Sequence, residues 1–208
     1  MTHNNDVIRY ANLKDGGRAA LKVMTSDVEN SWVAMLKQGA TMTMEMWNAA
    51  EKPNLTWSHP WASSPAFLVA WFLFGIRALA PGFSKVAIHP QPGDLAHGSY
   101  TLPTTLGPIT VSFKQLLHGG GGGGGTASIE MQVSLPSGCA GEVSVPLAQL
   151  SHLWVGRAGI LQVLHNGKLI RTTAVSAKDD GGGVQSVVIK DVHPGEHTFA
   201  ATLQFPEL

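Results

Sequence analysis

The chain has 208 residues, of which 44% are apolar and only 13% charged, with a formal net charge of zero. A balance of that kind leaves no electrostatic footprint for nucleic acid or an anionic membrane surface. The single cysteine, Cys139, excludes an internal disulfide and any zinc site built on several thiolates.

The charged share is about half that of ordinary soluble domains, which points to a large core or to a surface covered by other polypeptide. The opening segment, "MTHNNDVIRYANLKDGG", lacks the apolar core of a signal peptide. A weak helix is expected from about Gly17 to Met24. A second follows, because Ser26 and Glu29 have capping-box spacing and Val28, Trp32, Met35 and Leu36 recur on one helical face. Gly39 ends it, with Lys37 in the last turn where a cation suits the helix dipole.

The next stretch, "GATMTMEMWN", places the carboxylate of Glu45 among three methionines and a tryptophan. If extended, it puts Thr41, Thr43, Glu45 and Trp47 on one face and Met42, Met44 and Met46 on the other, plugged into a core. In a helix Glu45 and Trp47 would point about 200° apart and the pairing would vanish; Gly39 has just ended a helix, which favours the extended form. A carboxylate beside an indole suits sugar hydrolysis: the ring stacks on pyranose C–H groups and the acid moves a proton. The plainer alternative is a surface glutamate following a core tryptophan.

In "LTWSHPWASSP", Trp57, His59 and Trp61 again alternate. They could wall a ligand pocket, with the imidazole bonded to a hydroxyl, or form an aromatic core around a hydrogen-bonded histidine. A third helix begins at Ser63-Ser64-Pro65, with proline at a permitted first-turn position. Its apolar run, Ala66 to Ile76, is 11 residues and is followed by Arg77. A membrane span needs about 20, so a helix buried on all sides is expected.

After Pro81 the pattern turns to strands. "KVAIHP", "PITVSFK", "ASIEMQVSL", "GEVSVPL", "ILQVLHNGKLI", "VQSVVIKDV" and "EHTFAATLQF" are short and rich in β-branched residues. Asn166-Gly167 signals a type I′ hairpin, and the set predicts a two-sheet antiparallel sandwich. The glycines from Gly119 to Gly125 read as a floppy turn, because no Lys-Ser/Thr pair follows to make them a phosphate loop. No histidine has metal-ligand spacing such as H-E-x-x-H, and no G-x-S-x-G elbow is present.

The ordered blocks G-A-T-x-x-x-E-x-W (Gly39 to Trp47), Ser58-His59-Pro60-Trp61, an apolar helix, Pro81-Gly82-Phe83 and V-x-I-x-P-Q-P (Val86 to Pro92) resemble the C-terminal portion of α-L-rhamnosidases. The resemblance is close over about Asp15 to Phe113 and rests on strand pattern beyond. It implies an α + β chain: the last hairpins of an (α/α)6 six-hairpin barrel over 1–82, then an antiparallel β-sandwich over 83–208. It implies inverting hydrolysis of terminal α-L-rhamnosides, which needs no cofactor. Glu45 would be the general base, His59 would bind rhamnose hydroxyls, and Trp47, Trp57 and Trp61 would be pocket walls.

Such a mechanism also needs an acid about 6.5–9.5 Å from the base. The family places that acid in upstream hairpins, and Asp27, Glu29 and Glu51 match no motif for the role. The chain is therefore expected to be a C-terminal fragment, inactive alone, whose partners are a rhamnose-containing glycoside and the missing N-terminal barrel hairpins. Two rivals stand beside this: a non-catalytic carbohydrate-binding or structural module, and a related six-hairpin glycosidase of other sugar specificity.

Overall fold

A computed structural model of the chain describes residues 17–117, 126–147, 158–176 and 186–204. The glycine run and most of the opening segment lie outside them. Among these residues three short α-helices come first: α1 (Arg18–Met24), α2 (Trp32–Lys37) and α3 (Ser64–Leu68), the last running on as a π-helical turn over Val69–Leu73. Ten strands follow in the described residues: β1 (Ile76–Ala78), β2 (Lys85–Ile88), β3 (His97–Leu102), β4 (Ile109–Leu117), β5 (Thr126–Leu135), β6 (Ala140–Pro146), β7 (Ala158–His165), β8 (Lys168–Ser176), β9 (Ser186–Val192) and β10 (Gly195–Gln204).

The strands form a four-stranded sheet, β1-β2-β6-β9, and a six-stranded sheet, β3-β4-β5-β10-β7-β8. One continuous core lies between them: Val86, Ile88, Val143 and Val145 come from the first sheet, and Val111, Ile129, Val133, Leu161, Phe199 and Leu203 from the second. Period-two alternation is plain in β5, where Ala127, Ile129, Met131, Val133 and Leu135 all face inward. The hairpin predicted at Asn166-Gly167 is present, with φ of 50° and 75° at the two positions and His165 opposite Lys168.

Two strands escape the sequence patterns. β1 is three residues at the end of an apolar run, and β3, "HGSYTL", is an edge strand with no fully buried residue. The sandwich is not wholly antiparallel either, because β2 and β6 run parallel.

The helical part departs further from expectation. Ser31, not Ser26, caps α2: its extended backbone (φ −144°, ψ 163°) lets its hydroxyl accept the Ala34 N–H at 3.0 Å while donating to the Val28 carbonyl at 2.7 Å. Val28 therefore precedes the helix and lies exposed. Gly39 does end α2, at φ 86°. Gly39 N–H bonds Leu36 O and Ala40 N–H bonds Met35 O, at 2.9 and 3.1 Å, which is a Schellman closure.

The helix predicted over Ala66 to Ile76 is neither that long nor buried all round. It widens to i→i+5 bonding, ending with Phe74 N–H on Val69 O at 3.0 Å, and Gly75 at φ 67° turns the chain into β1. Phe67 and Trp71, one turn apart, remain exposed. The Arg77 guanidinium lies 4.8 Å from the Phe72 ring centre and 5.9 Å from that of Trp71.

Among the described residues no helix is long and apolar enough to cross a membrane, and no group of three or more His, Cys, Asp or Glu could hold a metal ion.

Candidate active-site segment around Glu45

Glu45 stands on a short backbone ladder between residues 43–45 and 56–59. The Glu45 N–H donates to Thr56 O at 2.9 Å and the His59 N–H to Thr43 O at 2.7 Å. The Thr43 hydroxyl donates to His59 O at 2.7 Å. The chain bends at Thr41-Met42 and again from Glu45 to Trp47, so only the centre of the segment is extended.

Those bends overturn the expectation for the methionines. Met44 is fully buried, with its N–H against the Met35 sulfur at 3.4 Å, but Met42 and Met46 are exposed. Alternation of faces holds only while the backbone stays extended, and here bends stand on both sides of Thr43-Met44. Gln38, just past α2, holds the second bend: its side-chain amide donates to Trp47 O at 2.7 Å and accepts from the Ala49 N–H at 2.9 Å.

The Glu45 side chain is 18% exposed and both carboxylate oxygens are engaged. Lys52 Nζ pairs with Oε1, and the Thr56 N–H donates to Oε2 at 3.0 Å. The Lys52 hydrogen bond, followed by that of Thr56, holds the carboxyl below its ordinary range; partial burial opposes them, and the charges of Lys52 and His59 assist.

His59 is half-buried at the start of the single turn Pro60–Ala62. Its Nε2 is buried and has no hydrogen-bond partner in the protein, and the Trp61 ring meets its imidazole edge-on with centroids 5.5 Å apart. The backbone ladder thus sets Glu45 and His59 on neighbouring limbs.

The tryptophans divide. Trp57 and Trp61 are 48% and 64% exposed. Trp47 instead packs edge-on against Trp32, centroids 5.2 Å apart, over the small core of Met35, Ala40, Met44 and Leu55. Asp27 is exposed and paired with Lys37 at 2.5 Å, and Glu29 and Glu51 are exposed too.

A cleft of about 250 Å³ opens nearby, lined by Trp32, Met35, Leu36, Met42, Thr43 and Pro65 among others. It is almost wholly apolar, and neither Glu45 nor His59 lines it. The partners that sequence inspection missed are Lys52 and the Thr56 amide. A lysine before Pro-Asn in a loop reads as solvated surface, and a backbone N–H carries no residue signature.

A family model described as bacterial alpha-L-rhamnosidase 6 hairpin glycosidase domain matches residues 10–73. A second, described as bacterial alpha-L-rhamnosidase C-terminal domain, matches residues 75–155. Among solved structures the chain is similar to the α-L-rhamnosidase from Dictyoglumus thermophilum, at 23% identity and a TM-score of 0.62, over 89% of this chain. It is similar also to the Streptomyces avermitilis α-L-rhamnosidase complexed with L-rhamnose (19% identity, TM-score 0.59, 88% of this chain). A third such structure is the α-L-rhamnosidase from Aspergillus terreus (17% identity, TM-score 0.57, 88% of this chain). At these identities the likeness shows the fold, and the chain spans only 16 to 19% of the length of the three structures. No curated protein matches the sequence.

Proposed function

This chain belongs to the C-terminal region of the α-L-rhamnosidase family, and on that premise we propose that it supplies the general base of an inverting hydrolase of terminal α-L-rhamnosides. The observation that carries the proposal is the Glu45 carboxylate, held below its ordinary range by Lys52 and the Thr56 N–H, with half-buried His59 on the neighbouring limb of the backbone ladder. An ionised carboxylate with lone pairs to spare can take a proton from water as that water attacks the anomeric carbon. His59, with a buried Nε2 that lacks a protein partner, bonds a sugar hydroxyl. Trp57 and Trp61 present exposed ring faces for the C–H surface of a pyranose, and half-buried Trp47 backs the segment.

Inversion requires a second carboxyl group on the other side of the glycosidic bond. Among the described residues no carboxylate is among the influences on the Glu45 carboxyl, and the proposal takes the acid from upstream hairpins of the family. The same observation supports the rival, a sugar-binding module without chemistry.

With this proposal goes a division of the chain into hairpins over 1–82 and sandwich over 83–208. The border is open to test because β1 lies on the hairpin side of it yet pairs with β2.

The deciding experiment joins the chain to upstream hairpins of the family and compares Glu45→Gln with the parent. Turnover of an aryl rhamnoside should fall by about 10²–10⁴-fold, the usual contribution of a general base, with sugar binding largely kept. His59→Ala should weaken rhamnose binding instead. Near-normal turnover in Glu45→Gln would remove Glu45 from the chemistry and leave the binding module standing.

A further inference from the structure

Glu45 begins a ten-residue loop, 46–55, that is closed at its base by the Glu45 N–H on Thr56 O at 2.9 Å. The far limb of this loop returns to the same residue's side chain. Ala49–Glu51 form a single 3-10 turn, capped by the Asn48 side chain on the Ala50 N–H at 3.0 Å. Lys52 then leaves that turn with extended backbone. The Leu55 N–H donates to Lys52 O at 3.0 Å, so Pro53-Asn54 reverse the chain. The near limb is pinned by Gln38 through Trp47 O and the Ala49 N–H.

We propose that Lys52 is the positioning residue of the Glu45 carboxylate, and that with the Thr56 N–H it orients the candidate base before any other part of a barrel is present. Its functional meaning rests on Glu45 being the base; the geometry does not.

Three features carry the inference. Lys52 and Thr56 take one carboxylate oxygen each, which fixes the plane of the group and leaves its other lone pairs open. The pair is partly shielded, with Glu45 18% and Lys52 38% exposed in their side chains, so the contact is less weakened by solvent than a surface ion pair. Every residue of the clamp lies within 38–56, so no residue from another hairpin is needed to form it. Lys52 does not touch the reacting atoms; it acts through Glu45.

The consequence for pH follows in sign. An acid whose carboxylate is stabilised in the fold titrates below its ordinary value and stays ionised as pH falls toward that lower midpoint. Removing the ammonium raises the midpoint, so a step that needs ionised Glu45 then fails at higher pH.

The test is a carbon-detected NMR titration of the Glu45 carboxyl in the 208-residue chain, beside Lys52→Met and Lys52→Arg. The parent should titrate below an unperturbed glutamate, Lys52→Met should move up toward one, and Lys52→Arg should stay depressed because the charge is kept. In the parent the Thr56 amide should shift with the same midpoint as Glu45. That measurement needs no variant and tests the Thr56 half of the clamp; if Lys52→Met does not fold, Lys52→Gln tests the Lys52 half, since it too removes the charge and should raise the Glu45 midpoint.

An unchanged Glu45 midpoint in folded Lys52→Met, or a Thr56 amide that ignores the Glu45 titration, would overturn the proposal. In a chain completed with upstream hairpins, the acid limb of kcat/KM should move up in Lys52→Met by the shift seen in NMR, and return in Lys52→Arg. An acid limb that stays in place while the NMR midpoint moves would keep the clamp and reject Glu45 as base. The two failures are therefore distinct.

Discussion

Gly75 occupies a single left-handed position, φ 67°, between the π-helical turn and β1. A Cβ built there would lie 2.0 Å from the carbonyl carbon and oxygen of His89, backbone atoms with little room to yield. The Gly75 carbonyl in turn accepts the His89 N–H at 3.0 Å, so the two backbones are locked at that approach. Gly75→Ala should therefore cost about 3 kcal/mol or more, combining overpacking with a φ that L-residues resist. Denaturant unfolding followed by tryptophan fluorescence measures it. A loss under about 1 kcal/mol would show that the approach relaxes easily. Asn166 is a useful contrast: its positive φ is tolerated because the residue sits in an open hairpin, where its side chain accepts the Thr198 N–H at 2.8 Å.

β1 is only three residues long, yet it carries the border between the two parts of the molecule. It forms the edge of the four-stranded sheet, with Ile76 opposite Ile88 and Ala78 opposite Val86. Ile76 and the preceding Phe74 are each 4% exposed and belong to the sandwich core. Phe74 lies against Tyr100 and Phe113, with ring centres 5.4 and 5.5 Å away.

A chain trimmed to 83–208 loses that strand and both side chains; one trimmed to 74–208 keeps them. Deleting a buried phenylalanine alone costs about 3–5 kcal/mol. In a domain of this size, 83–208 should then melt at least about 10 °C below 74–208, as read by circular dichroism. Equal melting temperatures would place the border at residue 82.

At the scale of the whole chain, low charge and exposed apolar groups act together. Val28, Leu36, Phe67 and Trp71 are 58%, 69%, 44% and 46% exposed, and the apolar cleft of about 250 Å³ lies between α2 and the start of α3. Soluble monomers seldom tolerate a continuous apolar patch beyond several hundred Å². The 208-residue chain alone should sediment as oligomers, bind a dye for apolar surface, and leave an aryl rhamnoside intact, since one carboxylate cannot serve both faces of the sugar. A monodisperse monomer with real turnover would overturn both expectations.

Local chemistry alone determined a good part of this molecule. Short runs rich in β-branched residues marked eight of the ten described strands, and period-two alternation set the inward faces of β5, because a pleated backbone sends successive side chains to opposite sides. Asn166-Gly167 and Gly39 marked their turns, because few residues accept positive φ. Capping-box spacing pointed to Ser26, but Ser31 stood next to the residues that pack and took the cap. Met42, Met44 and Met46 looked equivalent until the bends on either side of Met44 separated them.

The tertiary structure alone decided the parallel pairing of β2 with β6, the hidden strands β1 and β3, and the Lys52 contact with Glu45. Each joins residues whose own neighbourhoods carry no mark of the partner. Their energy comes from hydrogen bonds, charge and buried area that exist only once the chain has folded back on itself.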